Sequence, residues 1–151
     1  MRSVFQVRVR KPVDFVCSAL RHFQPDCYLS LEGELSRCDP ALVCGASRDP
    51  SALLRRNSTW PVQDFLILPV TAESTEIICH RILPQVGLKH RVIHVQLASA
   101  GRLVVAAYDN FDRECVWIDQ EIGKDVIVSL VEAGTVGWYQ PRQFDELAKT
   151  S

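Results

Sequence analysis

An α+β fold, a two-layer sandwich of a mixed, mostly antiparallel sheet with about three helices on one face, is what three features of this 151-residue sequence predict. Several segments alternate apolar and polar residues, as strands do when one face meets a core and the other meets water. Three other segments repeat apolar residues at helical spacing. Two apolar runs also flank a short glycine-containing turn, the pattern of a hairpin.

Residues 4–10 alternate, with Phe5, Val7 and Val9 on one side and Gln6, Arg8 and Arg10 on the other. That predicts a half-buried strand. Pro12 suits a first helical turn, and Val13, Val16, Cys17 and Leu20 recur at helical spacing until Pro25 closes the segment. Alternation returns over 28–35, with Leu29, Leu31 and Leu35 inward and Tyr28, Ser30, Glu32 and Glu34 outward. The chain therefore opens as β-α-β.

Periodicity then fails over 36–63, where Pro40, Gly45, Pro50 and Pro61 punctuate a stretch carrying Arg37, Arg48, Arg55 and Arg56. Irregular connections this long inside a compact domain are usually functional or partly disordered, the alternative being a short strand over 41–44. Trp60, just before Pro61, is expected to plug the core, since large aromatics are mostly buried.

The run 64–70 lacks alternation and reads as a strand covered on both faces. Thr71 is placed to cap the next helix, whose stripe is Ile78, Cys79, Ile82, Leu83 and Val86, and Pro84 and Gly87 end it. Residues 91–108 form the hairpin. With Ser99, Ala100 and Gly101 as a three-residue turn, Ala98 pairs with Arg102, Leu97 with Leu103, Val95 with Val105 and Ile93 with Ala107. Those apolar residues are expected to be buried, and His94, Gln96 and Tyr108 to be solvent-accessible on the opposite face. A turn-rich stretch follows at 109–114, then a strand at 115–118 and a helix capped by Asp119, striped by Ile122, Val126, Ile127 and Leu130, and stopped at Gly134. Residues 1–140 make one domain, and the polar residues 141–151 make a tail. The order of elements also suggests two related halves.

With 17 Lys and Arg against 18 Asp and Glu, the net charge is −1, so no global field favours nucleic acid or an anionic membrane. Nucleic acid is not an expected partner. The first residues lack a leader-like apolar run, and no segment reaches membrane-spanning length. A soluble, cytoplasmic chain is the expectation, with its six cysteines as thiols rather than disulfides.

Metal spacing is poor throughout. Cys38 and Cys44 are too far apart for a zinc knuckle, and His90 and His94 lie roughly 13 Å apart on a strand. Adjacent Cys79 and His80 diverge around a helix. No metal and no cofactor is expected, and the isolated glycines form no phosphate loop. Two other chemistries remain. Cys115, beside Arg113 and near His94, is a candidate nucleophile for a hydrolase or transferase. The open sheet face gathers Arg8, Tyr28, His94, Gln96 and Tyr108, and the loop above it adds Arg55 and Arg56. Arginines there can clamp an anion while a tyrosine stacks a ring. The leading reading is accordingly a binding or interaction module for a protein partner or a small anionic or aromatic ligand. Single-stranded nucleic acid is the weaker alternative, because Glu32 and Glu34 oppose it.

Overall fold

Seven strands form one sheet of order β3-β2-β4-β5-β6-β1-β7 in a computed structural model that describes residues 2–144. They are β1 (Arg2–Val9), β2 (Cys27–Gly33), β3 (Asp64–Val70), β4 (Val92–Ser99), β5 (Arg102–Ala107), β6 (Val116–Asp119) and β7 (Val136–Phe144). Every neighbouring pair is antiparallel. No parallel pair is needed to satisfy the topology. Strands joined by a helix do run parallel, but they are never neighbours: β2 sits between β3 and β4, β1 between β6 and β7, and β4, β5 and β6 between β2 and β1. The sheet thus contains two similar split β-α-β units with β5 between them. These units are not the halves that the order of elements suggests, since β1 and β2, joined by α1, fall in different ones.

The helices are α1 (Pro12–Phe23), α2 (Ala72–Ile77) and α4 (Lys124–Glu132), with α2 running on through a π turn (Ile78–Ile82) into α3 (Leu83–Val86). Thr71 caps α2 as expected, its side chain accepting from Ser74 N–H at 3.0 Å. The π turn falls immediately before Pro84, whose ring would meet the carbonyl four residues back in a regular helix. Helix residues such as Phe15, Leu20, Ile82 and Ile127 pack with Val7, Leu29, Leu68 and Leu97 in one core. All the helices therefore lie on one face of the sheet. None is long and apolar enough to cross a membrane. Asp119 caps a short 3-10 turn (Gln120–Ile122) rather than α4, which starts after Gly123.

Three expectations give way. The hairpin turn has two residues, not three: Ala100 and Gly101 take φ of 52° and 75°, and Ser99 pairs with Arg102. Two left-handed residues match the twist of the flanking strands. A bulge after Leu97 then pairs it with Val105 and pairs Val95 with Ala107, so Leu103 moves to the other face opposite Ala98 and is only half-buried, as is Ile93. Second, residues 136–144 form β7 along β1, so the expected boundary at 140 falls inside a strand. Pro141 fits within it because an edge strand tolerates a missing N–H. Residues 145–151 of the expected tail lie outside the described residues.

Third, Trp60 is no plug: it is 86% exposed. The loop from 34 to 63 leaves β2 at Gly33, where a side chain would strike Arg91 O at 2.3 Å, and folds across the helix-free face. Its plug is Leu54, 2% exposed against Phe65, Ile67 and Ala98. Ser47 adds a bridge to Ile67 on β3. The tip at 60–62 consequently projects into solvent.

Candidate functional site

On the helix-free face, β2 and β4 set Glu32 opposite His94. The loop closes over both. Glu32, 1% exposed, accepts Asn57 N–H at 2.7 Å and Ser58 N–H at 3.1 Å on its two carboxylate oxygens. Ser58 Oγ lies 3.0 Å from His94 Nε2, and Asp109 N–H donates to His94 Nδ1 at 3.3 Å. Because Nδ1 accepts, the proton sits on Nε2 and is donated to Ser58. Burial pushes the His94 pKa below its ordinary value, against the opposing pull of Glu32 and Asp109, and so favours this neutral ring.

Gln96 is held in the same way. Ser30 Oγ donates to its carbonyl oxygen at 3.2 Å, and its amide donates to the Tyr108 hydroxyl at 3.1 Å. The Tyr108 ring meets His94 edge-on, centroids 5.5 Å apart. Two expected exposures are thereby corrected: His94 and Gln96 are 7% and 4% exposed, since the loop and the polar ladder beneath it cover them. Tyr108 is half-buried.

Beyond Tyr108 the chain turns through Asp109, Asn110 and Phe111, all left-handed with φ of 54°, 58° and 62°. Such residues other than glycine each cost on the order of 1 kcal/mol, Asp and Asn least. Anchors hold them there. Asn110 donates its N–H to Ile93 O at 2.8 Å and its side-chain amide to Val92 O at 2.9 Å, and Phe111 meets Phe15 edge-on. The turn delivers the Asp109 carboxylate to Cys115, whose thiol donates to it at 3.6 Å. Burial, and then the acids Asp109, Asp112 and Glu114, push the Cys115 pKa up to about 11.

These groups wall a cleft of about 720 Å³ floored by Gln6 and Trp117. A second cleft of about 520 Å³ continues from it, lined by Arg8, Arg113, Trp138 and Gln140, and the two share Gln6, Glu114 and Arg142. Gln6 ties the junction together. Its carbonyl oxygen accepts from Arg142 at 2.7 Å and from Gln140 at 3.3 Å, while its amide donates to Arg113 O at 3.3 Å. Arg8, Arg113 and Arg142 have no ion pair among the described residues, whereas Arg2 and Arg102 both pair with Asp119.

Of the residues singled out from sequence, His94, Tyr108 and Cys115 share the first cleft, Gln96 lies beneath it, and Arg8 lines the second. The others lie elsewhere. Tyr28 is 51% exposed at the far end of β2, outside both clefts. Arg55 bonds Ala52 O, and Arg56 covers the Phe65 ring and bonds Gln63 O, so both brace the loop itself. Sequence reasoning missed Arg142, hidden in an apparent tail, and Trp117 and Trp138, and it named Arg113 only as a neighbour of Cys115. It also placed Glu32 outside, since alternation names a face but not what covers it. The one available cue was the Asp109-Asn110 pair, the residue types that best tolerate left-handed backbone.

Two catalytic arrangements can be weighed on this geometry. Ser58 and His94 have the separation of a serine–histidine dyad, but Nε2 carries a proton and offers no lone pair to take another. Cys115 is ringed by acids, which favour the thiol over the thiolate. Among the described residues no group of three His, Cys, Asp or Glu side chains is placed to hold a metal ion. No protein-family model, no curated protein and no solved structure matches this chain.

Proposed function

We propose that this chain is a binding module for a small anionic ligand, held in the joined clefts on the helix-free face of the sheet. The observation that carries the reading is that three guanidiniums without an ion pair among the described residues, Arg8, Arg113 and Arg142, line one cleft. A guanidinium is a fixed planar fork of donors that matches a carboxylate or phosphate, and with no carboxylate on any of the three among the described residues most of that capacity is open, Arg142 giving one donor to Gln6. Trp138, 44% exposed beside them, offers an aromatic face. Both volumes fall in the range of small-molecule sites, roughly 300 to 1,000 Å³. The committed nitrogens of His94 and the raised pKa of Cys115 favour binding over cysteine catalysis. The cysteines, all free among the described residues, suit a reducing compartment such as the cytoplasm.

Calorimetric titration of the chain with inorganic phosphate tests this. Saturable binding is expected, weakened at least about tenfold in Arg8→Ala and in Arg113→Ala, a loss of about 1.4 kcal/mol for each. Absence of binding, or binding that both variants retain unchanged, contradicts the reading and leaves the face to a protein partner.

A further inference from the structure

We infer that the anion is the phosphate of a hydroxylated phosphate monoester, a sugar phosphate, lying along both clefts with its phosphate among Arg8, Arg113 and Arg142 and its hydroxyls at Asp109 and Glu114. This rests on the anion-binding reading and names the class of ligand.

Charge decides between anions first. The arginine cleft holds three guanidiniums and one carboxylate, Glu114, and so a net charge of +2. A phosphate monoester carries about −1.5 to −2 at neutral pH and balances this, whereas a monocarboxylate leaves it half uncompensated. The clefts then differ in what they offer. Arg8 and Arg113 line only the second, and Asp109 and His94 only the first. In the first cleft His94 Nε2–H is already given to Ser58, and Arg142 at the junction already donates to Gln6. Acceptors remain open, because neither Asp109 nor Glu114 has an ion pair among the described residues and Asp109 receives only the weak Cys115 thiol. A ligand reaching this far gains by bringing hydrogen-bond donors to these two carboxylates. Hydroxyls supply them without adding a positive charge beside the arginines. The left-handed turn at 109–111 fits the assignment, since a backbone cost is borne where it aims the Asp109 carboxylate.

Calorimetry on the full chain with four probes separates the claims: inorganic phosphate, ribose, ribose 5-phosphate and phosphoethanolamine. Ribose 5-phosphate is expected to bind at least about tenfold more tightly than phosphate, ribose alone weakly, and phosphoethanolamine without a comparable gain. In the double variant Asp109→Asn, Glu114→Gln the gain disappears while phosphate still binds, and asparagine keeps the left-handed turn available. Thermal unfolding of the variant, measured alongside, confirms that the fold is retained. Phosphate binding with no gain for ribose 5-phosphate, a gain that survives the double variant, or a larger gain for phosphoethanolamine overturns the sugar phosphate but leaves an anion site. If neither phosphate nor ribose 5-phosphate binds, the anion site itself fails.

Discussion

Both ring nitrogens of His94 are committed, Nε2 to Ser58 Oγ at 3.0 Å and Nδ1 to Asp109 N–H at 3.3 Å, and a second proton on the ring would set Nδ1–H against that N–H. Burial holds the folded pKa below the ordinary value of 6.5, which the unfolded chain keeps. Between those two values the unfolded state binds more protons, so stability is full above about pH 6.5 and falls as the pH drops towards the folded value. Urea midpoints followed from about pH 7.5 to 5 should decline, and His94→Gln should flatten part of that decline. A slope unchanged in the variant would show that His94 is not its source. Cys115 gives a second residue-scale test. Its thiol, raised to about 11, should alkylate with iodoacetamide at neutral pH more slowly than exposed Cys44, and faster reaction would restore the nucleophile reading.

At the scale of elements, the loop from 34 to 63 is held to the sheet by a hydrophobic pin, Leu54, and a polar latch, Glu32 with two backbone N–H groups. Charge-assisted hydrogen bonds contribute about 1.5–3 kcal/mol each, so Glu32→Ala should destabilise the chain by roughly 3 kcal/mol in urea unfolding. Hydrogen exchange at the Asn57 and Ser58 amides should accelerate in the same variant. A cost under about 1 kcal/mol would mean that the latch carries little. Much of this level was legible in the sequence. Alternation found β1 and β2, Pro12 and Pro25 bracketed α1, and Thr71 announced α2. What escaped was decided by partners distant in sequence. Ser99-Ala100-Gly101 suits a three-residue turn as well as a two-residue one, and the choice lies in the bulge at Val104. β7 was hidden because its polar residues from 141 on suggested a tail, whereas an edge strand accepts both them and Pro141. Trp60 was misplaced because composition cannot tell which apolar residue of a loop will turn inward.

Across the whole molecule, the two faces of one sheet have separate tasks. The helices fill one with a continuous apolar core, while the long loop and the left-handed turn roof only part of the other. What they leave open is the groove over β6, β1 and β7. A net charge of −1 gives no hint of it, because the arginines there are local and are balanced by acids elsewhere. Arg8 was readable as an open-face residue from alternation alone, but its companions Arg113 and Arg142 come from a turn and from the last strand, and only the fold unites them. The most direct measurement is a titration of ¹⁵N-labelled chain with inorganic phosphate, following the arginine Nε–H resonances. The account predicts saturable shifts at Arg8, Arg113 and Arg142 with Arg55 and Arg56 unmoved. Shifts at Arg55 and Arg56 instead, or none at the first three, would contradict it.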